Sequence, residues 1–298
     1  YHFARSEPAA VSVTARLGQA RSPLTVEELL EALQDPRFFV RYEAVISIAR
    51  HSPDERLVNA LIDILNGSDP AMIVAAAWAL GRLGDPRAST PLRESLHHRY
   101  RSVQAHAARS LAVLGDPEAG GLILERMAGE QDIGLQIAFS SALGRLEVEQ
   151  AAPKMLHLLG RLKGIESRNE VSLALARLVG EEDLFIQLLR SVRQDPGTAM
   201  AQELNSLRRK LNAAYRPEEE LLAALDASLS ALAQHDLESG AASLVGLIQL
   251  LPDEWYCDPA HLILDDCARM LSEHGPQRME VLVLAVYTLQ KGLEEPTG

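Results

Sequence analysis

Gly81-Arg82-Leu83-Gly84-Asp85-Pro86 recurs as Val113-Leu114-Gly115-Asp116-Pro117, and more weakly as Gly144-Arg145-Leu146-Glu147 and Ala176-Arg177-Leu178-Val179-Gly180. A rougher copy, Ala49-Arg50-His51-Ser52-Pro53, stands earlier in the chain. Aligning His51, Leu83, Leu114, Leu146 and Leu178 gives steps of 32, 31, 32 and 32 residues. A constant period of that size marks a solenoid of stacked two-helix units, each burying its apolar face against its neighbours. The phrase itself is a helix end. Gly84, Gly115 and Gly180 fall just past helices, where a left-handed backbone is readily adopted. Pro86 and Pro117 stop the preceding helix from continuing.

The same grammar extends on both sides. Thr25 opens a first helix with Glu27 and Glu28 in its first turn, where carboxylates suit the helix dipole, and Leu29, Leu30 and Leu33 form its stripe. Asp35-Pro36 breaks that helix, and Val40, Ala44, Val45 and Ile48 mark the buried side of the second. Four further pairs follow to about residue 183, and a weaker pair reaches residue 212. The expected division is a lead-in or tether over 1–23, the repeat array over 24–215, and a C-terminal helical cap or bundle over 216–298. The fold class is therefore all-α, a right-handed α-solenoid of helix pairs with a helical C-terminal region.

Composition narrows the function classes. Aromatic residues are only 4% of the chain, so Ala and Leu must supply most of the close helix packing. A net charge of −12 argues against a nucleic-acid binder, which needs a basic footprint. Cys257 and Cys267 are too few for a disulfide framework and match no common zinc spacing, so a reducing, cytoplasmic setting is expected. No stretch has the roughly 20 apolar residues of a membrane helix.

The Asp-Pro turn, the Val40-Arg41 pair early in the second helix and the Leu-Gly-Asp-Pro ending resemble HEAT repeats, and more narrowly the short type named after phycobilisome lyases. The likeness covers about residues 24–183. It implies an armadillo-like stack whose second helices line the concave side. It also implies a ladder in which the early Arg bonds the turn Asp, matched here by Asp35 and Arg41. The equivalent later positions are Ile73, Gln104, Gln136 and Arg168, so most rungs of that ladder are expected to be lost. The family includes scaffolds, transport adaptors, pigment-lyase subunits and domains appended to bacterial membrane proteins. A start at Tyr1 without methionine would suit a piece following a membrane span, as in the cytoplasmic repeat tails of major-facilitator-type proteins, at the inner face of the membrane.

Candidate chemistry is sparse. His261 and Asp265 share a helix face and lie near Cys257, Asp266 and Cys267, a set that could hold a metal or equally be a core thiol beside a surface pair. His97-His98 suits a helix end, and His106 sits in a second helix. Arg50, Arg82, Arg145 and Arg177 repeat at one position, readable as a basic stripe or as cations on the negative ends of their own helices. No phosphate loop, nucleophile elbow or paired-His motif is present.

The expected function is thus a non-catalytic scaffold with no cofactor and no enzymatic activity of its own. It would bind a protein or peptide on the concave face through Arg41, Tyr42, Trp78, Gln104, Arg145 and Arg177, since aromatics and Arg dominate interface hot spots. An alternative is a lyase or chaperone-like subunit acting on a pigment or protein. A repeat-type DNA glycosylase is a third reading, disfavoured by the acidic charge.

Overall fold

A computed structural model describes residues 24–215 and 217–294. The expected lead-in over 1–23 lies outside the described residues. Sixteen α-helices are present among the described residues. The repeat pairs are α1 (Val26–Leu33) with α2 (Phe38–Ile48), α3 (Glu55–Leu65) with α4 (Pro70–Leu83), and α5 (Ser89–Ser95) with α6 (Arg101–Leu114). They continue as α7 (Ala119–Gly129) with α8 (Ile133–Arg145), α9 (Ala152–Arg161) with α10 (Ile165–Arg177), and α11 (Glu182–Gln194) with α12 (Pro196–Ala214). Then come α13 (Glu219–Ala233), α14 (Leu237–Leu250), α15 (Asp258–His274) and α16 (Met279–Lys291). Two compact units divide the chain between Ala142 and Leu143.

Local chemistry explains where the helices begin and end. Thr25 and Glu28 form a reciprocal capping box at the start of α1. Asp69 accepts from the amides of Ala71 and Met72, with Pro70 in the first turn of α4. Gly84 (φ 73°) and Gly115 (φ 67°) close α4 and α6 in the left-handed conformation. Gly180 does not share it, contrary to expectation. Its lack of a side chain serves packing instead, since a Cβ there would come within 2.9 Å of the Tyr287 hydroxyl. The residue that does take the left-handed slot is Glu147 (φ 55°), one place after Leu146. The Asp-Pro-Arg tail of the phrase is a small clamp of its own, in which the Arg87 side chain grips the Asp85 carboxylate at 3.0 and 2.8 Å.

In the unit ending at Ala142, second helices stack on second helices, α2 on α4 and α4 on α6, while α1, α3 and α5 form the other layer. Apolar side chains such as Ile48, Leu61, Leu80 and Leu111 are fully buried between the layers. The α4–α6 crossing is close because of one glycine. A Cβ on Gly81 would stand 2.6 Å from Cβ of Ser110. Gly144 holds the same repeat position in the other unit, and a Cβ there would stand 2.5 Å from the Ala174 carbonyl oxygen in α10.

In the unit from Leu143 onward, the terminal helices fold back on the repeat pairs. α13 packs on α12, α15 on α9, and α16 against α10, α11, α12 and α15. Every residue of α16 from Glu280 to Gln290 is buried, the pattern of a helix enclosed on all sides. Polar groups pin it in place. Arg278 donates to the Leu159 and Gly160 carbonyls at the end of α9 (3.2 Å each), and Tyr287 donates to the Glu181 carbonyl at 2.8 Å. Glu280, 2% exposed, pairs with Arg168 of α10.

Candidate functional site

The open surface of the second helices is narrow. Between Met72 and Gly81 every residue is buried except Val74 and Trp78. One repeat earlier the same register holds Tyr42 and Ile46 on α2, and one repeat later Ala105 and Arg109 on α6. Because α2 packs on α4 and α4 on α6, these positions make a row, with helix axes roughly 8–10 Å apart. At its α2 end the row is aromatic and exposed: Phe38 43%, Phe39 54% and Tyr42 36%. Phe38 stacks on Tyr42 at 5.8 Å, and the Arg37 guanidinium lies over the Phe39 ring at 5.6 Å. Such a surface costs solvation free energy and favours a partner with apolar or planar groups. Sequence reasoning picked out Tyr42 and Trp78 but missed Phe38 and Phe39. Their signal was two adjacent aromatics outside the buried stripe of α2.

Of the remaining candidates in this unit, Arg41 and Gln104 are turned inward. The ladder expected from the resemblance is not made as such. The Asp35 carboxylate is taken by Arg37, at 2.9 Å to both Nε and Nη2, and that hydrogen bonding holds its carboxyl below the ordinary range. Arg41 instead donates to the backbone carbonyls of Asp35 and Pro36, at 2.8 and 2.9 Å. At the equivalent positions, except Ile73, which has no donor, the side chains do the same job. Gln104 donates to the His98 carbonyl, Gln136 to that of Glu130 at 2.6 Å, and Arg168 to that of Lys163. A turn carbonyl needs only an N–H donor, and an amide serves as well as a guanidinium. Gln104 is 8% exposed, and its oxygen accepts from Arg126 at 3.2 Å.

Arg145 and Arg177 lie in the other unit and converge there on one carboxylate. Arg177 donates to Glu182 at 2.6 Å and Arg145 approaches it at 3.5 Å. The hydrogen bond from Arg177, then the two Arg charges, depress the Glu182 carboxyl against the opposing effect of burial. Arg145 and Arg177 thus tie the ends of α8 and α10 to the start of α11, while Arg50 and Arg82 are exposed.

On α6, next to the row position Ala105, stands His106. It is half-buried, and burial followed by the Arg109 charge lowers its pKa from 6.5. It therefore favours the neutral imidazole, which can accept or donate a proton. The Cys257–Cys267 region has a different character. Cys267 is fully buried and its thiol is pushed far up by desolvation, while burial also raises Cys257. Asp266 is bonded by Arg269. Among the described residues no three His, Cys, Asp or Glu side chains gather as a metal set. Among the described residues no helix is long and apolar enough to cross a membrane.

Comparison with known proteins places this architecture. Residues 26–112 match the family model for HEAT repeats. The chain is 30% identical over 117 residues to a phycobilisome maturation protein of Synechococcus elongatus. That alignment covers 39% of this chain and 55% of the relative, so the chain spans little more than half the length of the curated protein it matches. Among solved structures it resembles the complex of CpcE and CpcF of phycocyanin lyase from Nostoc sp. PCC7120, with a TM-score of 0.47 and 18% identity over 90% of this chain and 96% of that one. The expectation of a scaffold without enzymatic activity is corrected by the sequence likeness, which is to a phycobilisome maturation protein.

Proposed function

We propose that the chain is a lyase-type or chaperone-like subunit acting on a pigment or the protein that carries it, and that it engages this substrate on the α2–α4–α6 row. The observation that carries the reading is the sequence likeness to a phycobilisome maturation protein over 117 residues. The row supports it chemically. Phe38, Phe39, Tyr42 and Trp78 offer rigid ring surfaces that bind planar or apolar groups at low entropic cost. His106, two second helices along from the α2 aromatics, supplies a titratable nitrogen on the same layer. In this reading Arg41 and Gln104 hold the turns that position the row. Arg145 and Arg177 hold helix ends in the other unit, residues 24–215 form the array, and 216–298 form its cap. The partner is a protein, consistent with a maturation factor acting on an assembling complex.

The test uses the purified chain, a pigment-free phycobilisome protein and the free pigment. The chain should co-elute with one of the two and change the rate of pigment attachment or removal, followed by visible absorbance. Phe39→Ser and Tyr42→Ser, both at exposed positions, should each lower that effect at least about ten-fold while leaving the melting temperature nearly unchanged. Unaltered rates together with no complex on gel filtration would refute the reading.

A further inference from the structure

Where α13 begins and α14 ends, the unit from Leu143 onward holds a cavity of about 290 Å³. Its wall is apolar, made by Leu221, Leu250, Pro252 and the Trp255 ring, and its polar lining is two carboxylates, Glu218 and Glu220. The turn that carries Trp255 is fixed. Tyr215 rests against Trp255 with ring centroids 4.9 Å apart, and the Trp255 carbonyl accepts from the Glu294 amide at 2.9 Å. Leu250 nonetheless stays 38% exposed. A preorganised apolar wall in contact with water gains by being covered.

The charge around that wall selects what covers it. Residues 215–221 and 250–255 carry five carboxylates and one basic residue, Arg216. Glu218, Glu220, Asp253 and Glu254 are all exposed, and none of them forms an ion pair among the described residues. The dipole of α13 suits carboxylates in its own first turn. It accounts neither for Asp253 and Glu254, which precede Trp255 in a separate turn, nor for the apolar wall between the two segments. An anionic partner would be repelled, and a purely apolar one would desolvate carboxylates without pairing them. A lysine or arginine side chain answers both demands. Its methylene stem covers apolar surface while its cation meets carboxylate and aromatic ring. The carboxylates also span two segments, more than a single cation can meet, which favours several cations on one chain.

We propose that this cavity docks a basic segment of a partner protein, taking in one lysine or arginine side chain. The stem lies on Leu221, Leu250 and Pro252, the cation faces Glu218, Glu220 and the Trp255 ring, and neighbouring cations of the segment meet Asp253 and Glu254. This inference is independent of the substrate assigned to the α2–α4–α6 row, and either can fail alone.

Calorimetric titration of the whole chain with the capped peptide Gly-Lys-Lys-Lys-Gly tests it, with the acetyl-lysine form of the peptide and n-butylamine as comparisons. The peptide should bind with one-to-one stoichiometry. The acetylated peptide keeps the stems without the charge, and n-butylamine is one cation without its neighbours, so each should bind at least about ten-fold more weakly. Glu220→Gln and Leu250→Ser, both at exposed positions, should each weaken the peptide at least about three-fold. Asp63→Asn removes an exposed carboxylate of the other unit and should leave binding unchanged. In a Trp78→Phe chain, where Trp255 is the one tryptophan left, the peptide should also alter the emission. The proposal is overturned if the peptide does not bind at millimolar concentration, or if the acetylated peptide or n-butylamine binds as tightly. It is equally overturned if Asp63→Asn weakens binding as much as Glu220→Gln, which would mean attraction to the acidic chain as a whole.

Discussion

Replacing Gly144 by alanine tests whether the glycine of the repeat phrase sets the distance between successive second helices. An ideal Cβ there would lie 2.5 Å from the Ala174 carbonyl oxygen, 2.8 Å from its Cα and 3.0 Å from its carbonyl carbon. Normal heavy-atom contact is about 3.5–4.0 Å, so α8 and α10 must part by about 1 Å. All three neighbours are backbone atoms, and no side-chain rotation can relieve the clash. Overpacking of this kind costs about 1–3 kcal/mol. The substitution also gains about 1 kcal/mol of helix propensity. With backbone on the facing side the clash should win, leaving the variant up to about 2 kcal/mol less stable. For a chain of this size that is a melting temperature lower by several degrees, at about 2–4 °C per kcal/mol. Urea and thermal melts followed by far-UV circular dichroism measure it. Gly246→Ala is the matched control, since a Cβ there meets nothing within 4 Å inside α14, and it should stabilise by up to about 1 kcal/mol. If Gly144→Ala stabilises as much as Gly246→Ala, the close crossing is not what requires glycine, and the reasoning is wrong.

Two further outcomes follow from backbone and burial. Glu147 holds φ 55° at an exposed position where two earlier repeats place glycine. Glu147→Gly should therefore raise the urea midpoint by an amount equivalent to about 0.5–1 kcal/mol, the relief of left-handed strain less the added chain entropy; a lower midpoint contradicts this. His106 has a folded pKa lowered by burial, so as pH falls the unfolded chain takes up the proton first. Its contribution is thus constant well above the ordinary 6.5 and declines as pH drops through that value towards the lower folded one. Thermal melts from pH 8 to 5 should show a shallower decline in His106→Asn, and parallel curves for the two proteins would count against the assignment.

The repeat positions themselves were legible because they depend on local chemistry. Gly84 and Gly115 end helices as expected, since the left-handed cap is a short-range requirement. Tyr42 and Trp78 could be placed on second helices because the period carries from one repeat to the next. The bonding of Arg41 could not, because Arg37 and Arg41 compete for the same carboxylate. Which guanidinium wins depends on the angle of the turn, which no spacing encodes. Gln104 and Gln136 read as lost ladder rungs in sequence, yet each still closes its turn through an amide.

By itself, then, the sequence determined the helix pairs and their period. Both arise from contacts within one repeat or between adjacent ones. Tertiary structure alone decided that α16 would be enclosed by α10, α11, α12 and α15. It alone brought Glu280 to Arg168 and Gln290 to Ser206. These residues lie far apart along the chain, and an apolar helix has many neighbours it could bury against. Only packing of the whole unit selects among them.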